Sequence, residues 1–394
     1  MDVSKGYFDL KGKNAESLVH ELALKTFLTD WCYLNPILPN GKELCDMLVV
    51  YDQIAIILQI KDLKLYRNGR YSRSEVQKNL RQLAGARRQL FDLQTPIKLE
   101  NPRRSEEIFD PSQITDVYLI SVLLGEGEWA FPLVENIKAY TAHVFTRDFT
   151  QNVLTELDTI ADFTAYLKAK EAALPQIEQL VIIGGEEELL AFYLLNNRSF
   201  AGFGDATHVI IEEGSWQRLL GDPQYKAKKN EDQISYGWDG IVNRAHEGSR
   251  EYEIVARELA RPNRFHRRFL AKMFYDAHVI AHEDKKANAY RRVMADEGLT
   301  YCLFFCDEKE SRDTRIAMLY RTCFVARGKF QQNTKVLGIA TEKHFAPTCS
   351  YDFCLLELPV WTNEHQEAME QIQKELKILT SPTMTEVKED EYPN

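Results

Sequence analysis

Two apolar runs, CDMLVVY at 45–51 and IAIILQIK at 54–61, stand only two residues apart. Short runs rich in Val, Ile and Leu read as strands, and a two-residue connection between them reads as a hairpin. Their apolar content is nearly continuous rather than alternating, so both faces of the sheet they enter must be covered. The flanking sequence carries helical patterns. AESLVHELALKTFL at 15–28 places apolar residues at 18, 19, 22, 23, 27 and 28, a stripe along one side of a helix that Asn14 can cap. After a charged loop at 64–71, Ser74 can cap a second helix from Glu75 to about Leu93, and VYLISVLL at 117–124 reads as a further buried strand. The order is helix, strands, helix, strand.

Asp46 opens one arm of the hairpin, and Gln59 and Lys61 close the other. Side chains alternate along a strand, so Gln59 and Lys61 point one way, with Ile60 opposite, and both can meet Asp46 across the ladder. A carboxylate, an amide and an ammonium gathered at one sheltered spot are costly unless they satisfy one another or a metal. Hydrolysis of a phosphodiester needs a hard cation, which takes oxygen ligands and keeps part of its water. Asp46 can supply the carboxylate, and the Gln59 amide oxygen and the Ile60 carbonyl are further candidate ligands for Mg2+, with Mn2+ as an alternative. Lys61 would hold the attacking water or balance charge in the transition state. A carboxylate from the first helix would complete the set, and both Glu16 and Glu21 are candidates.

A helix bearing Glu, then Asp, then a short hairpin to Gln-x-Lys resembles the PD-(D/E)XK superfamily, and within it the Mrr-like restriction endonucleases, in which Gln often replaces the commoner Glu. The resemblance extends over the first third of the chain. Aligning Glu16, Leu18, Val19 and Leu22 with the family's Glu-x-Leu-Val-x-x-Leu helix favours Glu16 over Glu21. On the following helix, Gln77 or Gln82 falls where such nucleases carry a polar residue facing the site. The resemblance implies an α/β protein with a restriction-endonuclease-like αβββαβ core and a Mg2+-dependent endonuclease acting on DNA before RNA. It also implies a restriction or phage-defence setting, with a second copy or a partner protein of the same system. The neutral Gln59 removes one carboxylate, which implies weaker metal binding.

The net charge of −10 is unpromising for a nucleic-acid protein, but its distribution is uneven. Between Lys61 and Arg104 twelve Lys and Arg face four acids, a block able to follow a phosphate backbone. Lys64, Arg67, Arg70, Arg73, Lys78, Gln82, Arg87 and Arg88 are the expected contacts. A chain of 394 residues exceeds the usual size of one core. It divides on pattern into a nuclease-like domain at 1–135, a strand and bridging helix at 136–175, an α/β or α+β domain at 176–380 with a sensing, targeting or oligomerising role, and an acidic flexible tail at 381–394. The bridging helix is the pattern at 150–174. Later strands are expected at 180–183, 209–211, 300–306, 335–339 and 351–358, and helices at 251–260 and 364–379. No apolar run approaches a membrane span, and the protein is expected in the cytoplasm.

Four weaker features remain. His278 and His282 have the spacing of two metal-binding imidazoles but no third ligand, and read as a surface pair. The segment 257–272 is basic with Phe265 and Phe269 interleaved, equally a nucleic-acid contact or a helix with a charged face. Gly184 and Gly185 have the shape of a phosphate cradle, but Glu186, Glu187 and Glu188 would repel phosphate. The seven cysteines form no CxxC pair and read as free thiols, Cys302 and Cys306 in a core strand.

Overall fold

The computed structural model describes residues 17–63, 71–125, 134–137, 140–248, 250–344 and 349–393. The chain is α/β and forms two compact units, Met1–Lys226 and Ala227–Asn394. This division differs from the one drawn on sequence pattern. The strand and helices after residue 135 join the first sheet instead of leading away from it.

In the first unit, helix α1 (residues 17–27) precedes β1 (Cys32–Leu34), β2 (Met47–Tyr51) and β3 (Ile54–Asp62). β2 and β3 pair antiparallel with Tyr51 opposite Ile54, so Asp52 and Gln53 alone make the turn, Asp52 at a φ of 51° that aspartate tolerates well. Helix α2 (Arg73–Arg87) follows, one residue earlier than its expected cap, and widens into a π-helical turn at Arg88–Asp92. The hairpin of β4 (Lys98–Asn101) and β5 (Arg104–Ile108), absent from the sequence reading, leads to β6 (Asp116–Leu124), which lies parallel to β3. β7 (Val134–Ile137) and β8 (Tyr140–Thr146) complete a six-stranded sheet in the order β1-β2-β3-β6-β8-β7. One face, with Leu48, Ile57 and Leu119, packs on Val76, Leu80 and Leu83 of α2.

The opposite face meets helices. The pattern at 150–174 forms α3 (Arg147–Glu156) and α4 (Ile160–Ala173) rather than one bridge. The chain breaks at buried Leu157, and Thr159 caps the second helix by accepting the Asp162 amide. Phe145 of β8 packs edge-on against Phe149 of α3, at 4.9 Å between ring centres, and Phe27 of α1 against Phe163 of α4 at 5.1 Å. β9 (Gln179–Ile182), α5 (Glu186–Leu195) and β10 (His208–Ile211) then form a β-α-β unit with a separate parallel two-stranded sheet, followed by α6 (Ser215–Gly221) and α7 (Pro223–Glu231).

The boundary between the units falls within α7, and the second unit continues with α8 (Ser235–His246), α9 (Glu253–Ala260) and α10 (Arg264–Glu283). Its sheet has the order β11-β12-β13-β14, from β11 (Ala289–Ala295), β12 (Leu299–Cys306), β13 (Lys335–Glu342) and β14 (Asp352–Glu357). Helix α11 (Arg312–Lys329) carries the chain from β12 to the parallel β13, and α12 (Asn363–Leu376) follows β14. α11 lies close on the sheet at Gly338, where a Cβ would come within 2.5 Å of Cys323 Sγ. Both sheets therefore contain one module: an antiparallel hairpin, a helix, and a strand parallel to the hairpin's second arm. All seven cysteines are free. Among the described residues no helix is long and apolar enough to cross a membrane.

Candidate functional site

β3 is longer than β2. Their pairing begins at Met47 opposite Leu58, while residues 59–62 of β3 continue beside β6, Gln59 opposite Ser121. On the β2 side, this projecting stretch has no strand partner. Asp46 fills the place: its Oδ2 accepts the Gln59 Nε2 at 2.5 Å and also the backbone N–H of Ile60. On a strand the N–H and C=O of one residue point to the same side, so the Ile60 carbonyl also faces the Asp46 edge. Gln59 and Lys61 share the face of Ile57, which packs under α2, and buried Ile60 lies on the other. Gln59 is only 8% exposed, whereas Asp46 and Lys61 are half-buried.

Helix α2 does send a polar residue to this corner, but it is Asn79. Its Nδ2 donates to Ser121 Oγ at 2.7 Å and, at 3.4 Å, to the Gln59 carbonyl. Asn79 is fully buried. Gln82 is exposed and Gln77 half-buried. The signal was present: Asn79 interrupts the apolar stripe of Val76, Leu80 and Leu83, and a polar residue in such a stripe needs a partner below. Glu16 lies outside the described residues. Glu21 is exposed on α1, and among the described residues no group of three or more His, Cys, Asp or Glu is placed to hold a metal.

Of the expected nucleic-acid contacts, Lys64, Arg67 and Arg70 lie outside the described residues. Arg73, Lys78, Gln82 and Arg88 are exposed on the outer side of α2 and its continuation. Arg87 is not available in the same way: its guanidinium lies over the Tyr140 ring at 3.9 Å and pairs with Asp92 at 3.2 Å. The basic block is also less positive in space than in sequence. Lys98, Arg103 and Arg104 pair with Glu106, Asp30 and Glu107, all outside the 61–104 window.

The weaker features resolve into packing. His278 is buried and stacks on Phe305 with ring centres 4.9 Å apart, so it is no surface histidine, and His282 bonds the Lys343 carbonyl at 3.2 Å. In 257–272, Arg264, Arg267 and Arg268 are buried, the first two on Asp239 at 2.9 and 2.7 Å and the third on Asp232 at 3.2 Å. A surface for nucleic acid is not what these arginines make. The expected flexible tail has no helix or strand but is tied down: Arg268 donates to the carbonyls of Asp390 and Glu391 at 2.7 and 3.2 Å. Glu186, after Gly184 and Gly185, is buried against Lys170 at 2.5 Å and Tyr166 at 3.0 Å. Burial pushes the Glu186 carboxyl up and the Lys170 ammonium down from their ordinary ranges.

The second unit has its own charged corner, at the ends of β12 and β13. Arg315 donates to Glu342 Oε1, to Asp352 Oδ2 and to Ser350 Oγ, each at 2.6 Å. Arg312 adds a bond of 2.7 Å to Asp352 Oδ1, and Ser350 donates its amide and hydroxyl to Glu342. Partial burial opposes ionisation of Glu342, but the bonds from Ser350 and Arg315 together outweigh it and hold the carboxyl at about 2. Burial lifts the neighbouring Cys306 thiol to about 11, far from a reactive thiolate.

Comparison of the chain with family models, with curated proteins and with solved structures gives no match in any of the three.

Proposed function

We propose that the first unit is a Mg2+-dependent nuclease that hydrolyses phosphodiester bonds of DNA, and of RNA less readily, with Mn2+ able to replace Mg2+. The observation that carries this reading is the lodging of the Asp46 carboxylate against Gln59 and Ile60 at the projecting end of β3, with Lys61 on the Gln59 face. Asp46, the Gln59 amide oxygen and the Ile60 carbonyl are oxygen donors of the kind Mg2+ takes with water completing its shell, and Glu16 is the fourth candidate ligand. When bound there, the cation would polarise the phosphoryl oxygen and acidify water. Lys61 would steady the water and the charge that develops on the phosphate. Gln59, fixed by Asp46, orients the carboxylate, and Asn79 and Ser121 hold the strand end from behind. Arg73, Lys78, Gln82 and Arg88 would follow the backbone of the nucleic acid. The resemblance that suggests the chemistry also suggests a restriction or phage-defence setting, with the second unit sensing, targeting or oligomerising.

One observation favours a second reading, a catalytically inactive unit that binds nucleic acid or a partner protein. Asp46 Oδ2 already has two donors inside the fold, which is how a structural carboxylate is satisfied. Purified full-length protein, Asp46→Ala and Lys61→Ala should be incubated with plasmid, linear duplex, single-stranded DNA and RNA in Mg2+ or Mn2+. Metal-dependent cutting by the wild type, reduced at least about 100-fold in both variants, is the expected result. A folded wild type that cuts none of the four substrates, alone or with cell extract, removes the nuclease reading and leaves the binding one.

A further inference from the structure

β9 and β10 form a parallel sheet of two strands, standing apart from the six-stranded sheet of the same unit. Parallel sheets are normally covered on both faces, and two strands alone make a marginal sheet. Here one face is covered, with Val209 and Ile211 at 9% and 5% exposure, and the other is open. Ile210, Ile183 and Val181 are 69%, 50% and 37% exposed, with Ile210 directly beside Val181 in the ladder.

Among the described residues, no strand pairs with the outer edge of β10. The Gln179 and Ile183 amides donate to the carbonyls of Thr207 and Ile211 at 3.0 Å, so the odd-numbered residues of β10 bond β9. By alternation, His208 and Ile210 turn their N–H and C=O groups away from it. The edge HVII carries no Pro, no Lys and no bulge, the devices that commonly block such an edge.

We infer that β10 pairs antiparallel with β10 of a second copy of this chain, in the register that sets Ile210 opposite Ile210 of the partner subunit. Three features select a second copy and this register. A two-fold axis places like on like, so one edge is complementary to itself. Centring on Ile210 makes the outward-facing residues the ones that exchange N–H···O bonds, as antiparallel hydrogen-bonded pairs require. It also sets His208, whose Nδ1 is held by Thr207 Oγ1 at 2.9 Å, opposite Glu212 of the partner subunit, matching a donor or cation with a carboxylate at both ends. The two sheets become one of four strands, β9-β10-β10-β9, with the open isoleucines side by side. This assembly stands independently of the nuclease reading.

Light scattering on the eluting full-length protein should give the mass of two chains. Ile210→Pro removes an N–H that faces away from β9, so the β9–β10 ladder keeps its bonds, and the variant should elute as one chain with an unchanged circular dichroism spectrum. Ile210→Lys, which brings two like charges together, should do the same if the proline variant fails to fold. A short bismaleimide should join Ile210→Cys chains into covalent dimers and leave Leu195→Cys, exposed elsewhere on the unit, unjoined. A monomeric wild type, or a dimer unaffected by both substitutions at 210 and not joined through a cysteine there, overturns the proposal.

Discussion

The ends of β3 and β6 in the first unit and of β12 and β13 in the second are the same place in the same module, and the chain fills them differently. In the first, Asp46 and Lys61 stay half-exposed, and Gln59 and Ile60 are among the donors to Asp46. In the second, Arg315 is 4% exposed and joins Glu342, Asp352 and Ser350 in a closed network in which the acids are met by charge. A gathering of polar residues at strand ends therefore does not by itself define a site. What distinguishes the two is exposure: Arg315 and Asp352 are buried with their partners, whereas Asp46 and Lys61 remain half-exposed, and a buried network whose donors and acceptors meet one another rigidifies the fold.

Removing the guanidinium tests this contrast most strongly. Arg315→Ala leaves Glu342 and Asp352 without their buried partner and should lower stability by about 3–5 kcal/mol, read by urea unfolding, whereas a loss below about 1 kcal/mol would mean that the corner is not structural. Acid should separate the two units next. Burial holds His143 of β8 down at about 4 against an ordinary 6.5, despite its 2.9 Å bond to Glu171. As pH falls from 6.5 the unfolded chain takes up a proton that the folded unit refuses, so the first unit loses stability. The loss should reach about 3 kcal/mol, because each tenfold change in proton affinity is worth about 1.4 kcal/mol. Glu342 is displaced the other way, from 4.5 to about 2, so its contribution is intact above 4.5 and is lost only as pH falls toward about 2. Hydrogen exchange between neutral pH and about 4.5 should show β8 and α4 loosening while α11 holds, with His278 of α10, which burial also lowers, adding a loss of the same sign in the second unit. The smallest effect is at Lys61, where truncation to Ala should change stability by less than about 0.5 kcal/mol. A larger loss in thermal unfolding would place Lys61 among the structural charges and bring the two corners together.

Much of the first sheet was legible because its signals are local. The two apolar runs, the two-residue turn and the stripe of α2 each fix their own geometry, and the alternation of β3 was enough to put Gln59 and Lys61 on one face, with Gln59 against Asp46. Asn79 was missed because its partners, Ser121 and the Gln59 carbonyl, lie 42 and 20 residues away along the chain. The β4–β5 hairpin was missed because its charged residues hide a short alternation, and with it went the pairing that reduces the basic block. The pattern at 150–174 is helical throughout; only the burial of Leu157 and the cap at Thr159 divide it.

Local sequence was enough to set most strands of the first sheet, the hairpin and the meeting of Asp46 with Gln59, because periodicity and turn chemistry act over a few residues. Which charges remain available was decided only by the packed fold. Arg264, Arg267 and Arg268 look like a basic surface in the chain and are buried on Asp239 and Asp232 in the fold, and β10 looks like a core strand and has an open face and, among the described residues, an edge with no strand partner. Burial and ion pairing depend on residues distant in sequence, and no local pattern records them.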